Sequence, residues 1–512
     1  MKGSNKMKKC RNCVALIMAM IMMLTAFSVM PMTSSAESTN VRTGYPVVTR
    51  ADSLDCSHLN NSNEKTSHIW NSSNKPAYIT VTLKKSDNKT VIINYVVKLW
   101  KQGKTYKWQY GRFDKDDKFV EEYINQSNVP VDTKNKINNE KFCFQYILQK
   151  NCDVLTNKAK VNPKSRRHLN IVFSEGDFNV SGLFRVYSNT VITGDGAKTK
   201  LYKANSNPVF INFDNDDLNT KGYNGSRNIT VKNFTVSGGK ENSKTHRPSS
   251  FLYFVHGSGL TVQNVTVENA LYYSHVFQLT ASENIKIDNC NFKNILYTES
   301  VDTKNKRGDV IYRKATEKSL EIKDFNQKSE IIKGKNSTRK FFQFEVVQIE
   351  PDQPGSMPTI RTSWDGTPSQ NVTIQNSHFD GVVRAIGSHA AGVNPCYNIK
   401  IYNNRFGNIV GNAITLPYKL QPTPIKKGSY KDIDIKTTNK NIKCKIRIKI
   451  LNITRNDVYI YNNNVFRNIS NKKIKGSCIY YVKGKNINFK KKNIKNNVFD
   501  ADCIKYTPVS EY

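Results

Sequence analysis

Acidic side chains are scarce in this chain: 41 Asp and Glu stand against 78 Lys and Arg, a formal net charge of +37. An excess of that size governs solubility and long-range attraction to anions. It makes acidic glycans and the anions of a cell envelope natural partners. Lys, Asn and Ile also rise together, densest after Lys419, as drift in base composition would produce. That explanation suffices for the charge, so no nucleic-acid partner is expected. Cysteine is sparse and unpatterned. Beyond Cys10 and Cys13, eight remain at 56, 143, 152, 290, 396, 444, 478 and 503, with no CxxC pair and no Cys/His zinc spacing. No metal centre or cofactor follows from them, and a chain this long buries a core without disulfides. They are read as buried or incidental thiols.

Long apolar runs are also few. The one that qualifies, Val14 to Met30, follows Lys2, Lys6, Lys8, Lys9 and Arg11 and precedes Pro31 and Ser34-Ser35-Ala36. That order reads as a secretory signal over residues 1–36, cut after Ala36. An uncleaved anchor is the alternative, near the lower length limit for a span. Cys10 and Cys13 precede the apolar run, so they do not stand where a lipid-modified cysteine would. Cleavage removes five basic residues and lowers the charge from +37 to +32. The expectation is a secreted or extracellular protein with no stable membrane span after cleavage, held at a surface by charge.

What the chain has in quantity is a repeat. Seven segments share one pattern: Asn228-Ile-Thr-Val, Gly259-Leu-Thr-Val, Asn284-Ile-Lys-Ile, Asn371-Val-Thr-Ile, Asn398-Ile-Lys-Ile, Asp457-Val-Tyr-Ile and Asn486-Ile-Asn-Phe. Each alternates apolar with polar, the mark of a strand with one buried face. Five residues after the start, six of them carry Asn233, Asn264, Asn289, Asn376, Asn403 and Asn462, and Lys491 breaks the column. An apolar residue follows eight after the start, from Val236 to Ile494. Starts lie 25 to 31 residues apart outside long inserts, a period that indicates stacked coils. One strand, an Asn turn and a second strand per period describe a parallel β-helix, with like residues stacked at about 4.8 Å. The Asn residues are expected to form one buried, hydrogen-bonded column. LxxLxL spacing and Gly/Trp-Asp blade motifs are absent, which excludes leucine-rich repeats and propellers. The pattern resembles the pectate-lyase-like right-handed parallel β-helix proteins over about Leu169 to Cys503, a likeness that specifies fold well and activity poorly.

Around the coil, residues 37–135 are expected to hold a small β module and linker. Residues 136–168 should supply a capping helix at Asn139 to Leu155, with apolar pairs at i, i+4, because an open first rung exposes core. Two inserts, 298–340 and 419–455, should leave the coil, the second as a hairpin over Tyr430 to Ile450. Residues 504–512 are read as a tail.

The scarce acids gather in Gln348 to Pro368 (QIEPDQPGSMPTIRTSWDGTP). If Val347 and Ile349 point inward, Gln348 and Glu350 point outward, as does Gln278 on the strand before. Arg384 shares that face only if Ala385, rather than Ile386, fills the core. Glu350 and Asp365 are the candidate catalytic pair for glycosidic hydrolysis, which needs two carboxyls about 5–5.5 or 6.5–9.5 Å apart. Trp364, Arg384, His389, Asp352, Gln348 and His275 are the candidate substrate-binding residues. Each also has a structural reading: Asp365 fixing an Asp-Gly turn, Glu350 as a solvated strand end, Arg384 as a salt-bridge partner, Trp364 as a lid, the histidines as packed, and Gln278 with Gln348 as an amide ladder. The leading expectation is a glycoside hydrolase acting on a polysaccharide or glycan. A polysaccharide lyase is the second. The resemblance implies that Glu350, Asp352 and Asp365 would then hold Ca²⁺, with Arg384 as base, although the spacing is not that of a calcium loop. A non-catalytic glycan-binding surface adhesin is the third.

Overall fold

The computed structural model describes residues 67–510 apart from 122–140, 150–166, 213–220, 240–246, 272–274, 303–309, 315–329, 335–336, 342–344, 353–364, 388–393, 410–412, 417–429, 437–442, 450–457, 466–476, 484–493, 500–503 and the single positions 296, 383 and 395. Residues 1–36, expected to be a signal, Trp364 and His389 lie outside the described residues. The chain falls into two units, residues 1–44 with 113–119, and the remainder. In the first, residues 113–119 form a turn in which the Asp114 carboxylate accepts from the N–H groups of Asp116 and Lys118, each at 2.9 Å.

The larger unit is a parallel β-helix with three strands per rung. In sheet 1 the inward column reads Ile229, Leu260, Ile285, Val372, Ile399 and Val458, each paired in register with the next. In sheet 2 it reads Val236, Val267, Phe292, Phe379 and Phe406, and Phe406 pairs in register with Val465. Sheet 3 has nine strands. They are Phe184–Arg185, Phe210–Ile211, Leu252–Val255, Phe277–Thr280, Glu345–Glu350, Arg384–Gly387, Ile414–Leu416, Ser477–Lys483 and Ile504–Ser510. The last pairs parallel with Ser477–Lys483, so residues 504–510 complete a rung rather than trailing as a tail. Inside, Phe184, Phe210, Phe251, Phe277, Phe292, Phe379 and Phe406 form a continuous stack along the axis. Among the described residues, Cys290 and Cys396 are buried free thiols, and burial pushes both up to about 12.

The Asn column is single but it is not buried. Asn233, Asn264, Asn289, Asn376, Asn403 and Asn462 all have φ between 51° and 61°, and from Asn289 onward they are exposed. The bend between sheets 1 and 2 needs one residue in the left-handed region, which Asn tolerates better than most side chains. Its amide then points outward and bonds to the next rung, as from Asn264 to Asn233 at 2.9 Å and from Asn289 to Asn264 at 2.8 Å. The buried column stands one residue later, at Cys290, Ser377, Asn404 and Asn463. There, each side chain from Ser377 to Asn497 accepts from the backbone N–H of the rung before, at 2.9–3.1 Å. The Asn404 and Asn463 amides also donate to the Ile374 and Ile401 carbonyls, at 2.9 and 3.0 Å. A second left-handed column opens each sheet 1 strand, at Asn228, Gly259, Asn284, Asn371 and Asn398.

The first rung is covered by strands, not by the expected long helix. Ala77–Lys84 pairs antiparallel with His168–Phe173, and His68–Asn71 with Gly176–Ser181. Phe142–Cys143 pairs with His68 and Ile69, and among the described residues the helix is Gln145–Gln149, residues 150–155 lying outside them. Here the open edge is satisfied by added strands, one of several ways an exposed edge is protected. Where the cover runs out, the Gln145 amide substitutes for a strand. It accepts from Arg185 N–H at 2.7 Å and donates to Arg185 C=O at 3.2 Å. Phe144, Ile147 and Leu148 close the core beneath.

The inserts stay outside the stack. Tyr297–Asp302, Val310–Lys314, Glu330–Gly334 and Ser337–Phe341 form a separate four-stranded sheet. Tyr430–Lys436 and Lys443–Lys449 form an antiparallel hairpin.

Candidate functional site

Val347 and Ile349 face the core and Gln348 and Glu350 lie on the opposite face, but that face is covered: Glu350 is 0% and Gln348 1% exposed. In register, Gln278 stands beside Gln348 and Thr280 beside Glu350. Glu350 Oε1 accepts from Gln278 Nε2 at 2.8 Å and from Thr280 Oγ1 at 2.7 Å, and its Oε2 accepts from Gln348 Nε2. Buried carboxylates demand donors, and this one has three. It does not open onto a groove.

Arg384 also departs from the expected patch. Ile386 pairs with Val347 and fills the core, so Arg384 falls on the parity of Ile386 rather than that of Glu350. It is buried against Glu345, Nη1 to Oε1 3.3 Å. His275 is buried as well, with Nδ1 2.7 Å from the Glu345 carbonyl oxygen. Gly387 (φ 154°) is required by close approach, since a Cβ there would meet Thr415 O at 2.0 Å.

The two aspartates do come together, around a residue the sequence did not single out. His256 follows Leu252–Val255 at the corner between sheets 3 and 1, with φ 51°. His256, Asp352 and Asp365 each bring a nitrogen or oxygen ligand atom within 4.8 Å of the others. His256 Nε2 lies 3.4 Å from Asp352 Oδ2, and its Nδ1 lies 2.6 Å from Gly222 O, to which it donates. Asp352 Oδ2 accepts from Asp365 N–H at 2.8 Å. Asp365 Oδ2 accepts from Gly222 N–H at 2.7 Å and its Oδ1 from Thr367 N–H at 2.8 Å, the latter the turn role open to it from sequence. Tyr223 donates to Pro368 O at 2.7 Å. Residues 221–223 and 365–368 thus strap across the corner.

Burial alone would pull His256 down, but the Asp352 and Asp365 charges more than offset it and hold the imidazole above its ordinary value. Burial would raise Asp365, but the Gly222 N–H, the His256 charge and Thr367 hold it below the usual carboxylate range. The calcium set expected from resemblance is not assembled, because Glu350 is committed elsewhere. His256 carried no legible signal: Val255, Thr280 and Glu350 are in register, which places Ala281 at the corner between His256 and the Asp352 turn.

A second feature lies on the outer face of sheet 1. His168, Asn170, Asn189, Asn228, Thr230 and Thr261 line an open cavity of about 300 Å³. Asn228 Nδ2 donates to Asn189 Oδ1 at 3.0 Å. It offers amide donors and acceptors and no carboxylate.

No protein-family model matches the chain. It is similar to plasmin and fibronectin-binding protein A of Streptococcus pneumoniae, 29% identical over 164 residues, covering 30% of this chain and 18% of that protein. The chain therefore spans under a fifth of the length of that relative. Among solved structures it aligns with PfbA, a surface adhesin of S. pneumoniae, at TM-score 0.41 and 18% identity, covering 66% of this chain and 65% of that one. It also aligns with a family 28 exopolygalacturonase of Yersinia enterocolitica at TM-score 0.33 and 11% identity, covering 86% and 96%. Among the described residues, no helix is long and apolar enough to cross a membrane.

Proposed function

We propose that this chain is an extracellular binding protein of the adhesin type, its β-helix a rigid platform for glycans or glycan-bearing proteins. The observation that carries this reading is the state of Glu350. A general acid or nucleophile must reach substrate, whereas this carboxylate is buried and accepts three side-chain hydrogen bonds. Asp365, its intended partner, is bound to two backbone N–H groups. The amide-lined cavity on sheet 1 supplies donors and acceptors suited to sugar hydroxyls without a catalytic acid. The partial similarity to a plasmin- and fibronectin-binding protein supports the same class, and the charge of +37 favours retention on an anionic envelope.

The test pairs binding with product analysis. The purified chain is run over immobilised plasmin, fibronectin and a panel of neutral and acidic glycans, and each glycan is then assayed for new ends. Saturable binding without cleavage is expected, weakened by Asn170→Ala with Asn228→Ala. New reducing ends would restore the hydrolase, unsaturated products the lyase, and absence of any binding would remove the adhesin reading.

A further inference from the structure

We propose that His256, Asp352 and Asp365 form a binding site for one divalent transition-metal ion, of which zinc is the representative. The three ligand atoms converge within 4.8 Å. His256 Nε2 and Asp352 Oδ2 are 3.4 Å apart, the edge of a tetrahedron whose bonds are about 2.1 Å long, as zinc makes to imidazole and carboxylate. The imidazole already has the orientation a metal requires, because Nδ1 donates to Gly222 O and Nε2 faces the carboxylates, where an ion would take the place of the Nε2 proton. A backbone carbonyl on the far ring nitrogen is the usual orienting partner of a metal-bound histidine.

Two independent features point to a missing cation. His256 Nε2 and Asp352 Oδ1 are buried and make no hydrogen bond, on side chains 1% and 0% exposed. Such atoms are costly to bury unless something satisfies them. Two carboxylates also meet one imidazole, so one negative charge stays unmatched even when the imidazole is protonated, and a divalent ion neutralises it. The remaining carboxylate contacts, Asp365 N–H to Asp352, and Gly222 and Thr367 N–H to Asp365, fix both acids as a supporting shell would. Calcium fits poorly, since it takes six to eight oxygen ligands and this set includes a nitrogen. The ion would pin the corner at His256 to Asp352 and Asp365, which arrive from later rungs.

The measurement is zinc binding by the full chain after chelator treatment, read by metal content after gel filtration and by thermal unfolding. One zinc per chain is expected, with melting raised by about 5 °C at a concentration about a hundredfold above Kd and no matching response to calcium. Cobalt should bind in its place with the visible absorption of a four-coordinate site. His256→Ala and Asp365→Asn should each lose the bound ion and the cobalt band while circular dichroism reports an intact β-fold. If either variant proves unfolded, the wild-type stoichiometry and cobalt spectrum still decide the matter. No retained zinc and no shift in melting would overturn the site. So would zinc binding undiminished in both folded variants, which would assign the ion to other ligands.

Discussion

Two corners of the coil solve the same bend differently. Between sheets 1 and 2 the chain turns on one left-handed Asn, rung after rung, followed by a buried residue that bonds to its neighbours above and below. Between sheets 3 and 1 a left-handed Asn or Gly and a buried serine also recur, but the residues just before them differ from rung to rung, His256, Ala281 and then the Asp352 turn, and contacts there link residues 96 and 109 positions apart. A position that repeats needs the same chemistry at every period, whereas a position that varies between rungs is free to gather side chains that have no counterpart elsewhere in the stack.

The sharpest way to break that contrast is to remove a rung from the buried ladder. Asn463 accepts from the Asn404 backbone and amide and donates to Ile401 O and Asn497. Asn463→Leu strands several buried polar groups, and denaturant unfolding should show a loss of about 3–5 kcal/mol. At the other corner, Glu350→Gln sets an amide donor against three existing donors, and the same measurement should register about 2 kcal/mol. If Glu350→Gln leaves stability unchanged, its carboxylate is not the structural acceptor described.

Smaller effects separate conformation from contact. Asn403 has φ 56° and an exposed side chain, so Asn403→Ala should cost about 1 kcal/mol and Asn403→Gly only about 0.3 kcal/mol. Equal costs would assign the column to side-chain bonding instead. The smallest change is expected at Lys203, whose buried ammonium donates to Ser250 O and Oγ. Burial holds its pKa well below the usual lysine value, so between that depressed value and the unfolded one the unfolded chain binds more protons. This group's contribution to stability therefore rises with pH through that window. Lys203→Met should be neutral or stabilising at pH 7 and should flatten that rise, as followed by unfolding at several pH values.

The period of the coil was legible because Asn228, Asn284, Asn371 and Asn398 repeat one backbone requirement. Their neighbours' burial was not, since Asn403 and Asn404 look alike in sequence and differ only in which way a left-handed residue throws the next side chain. The apolar spacing of 139–155 fits a helix, and it carries no signal that strands from 68–71 and 77–84 would cover the first rung instead. At the acidic stretch, alternation placed Gln348 and Glu350 on the outer face, but it carries no information on whether that face is covered. Arg384 turned on a single parity, decided by Ile386 packing against Val347. His256 was invisible because its partners arrive from a distant part of the chain.

The register pairs that join one rung to the next run along the coil axis, and this gives the molecule a mechanical grain. A pull along the axis peels rungs apart one set of hydrogen bonds at a time. A pull across it must shear whole sheets and the phenylalanine stack together. A load applied across the axis would therefore meet the stiffer direction.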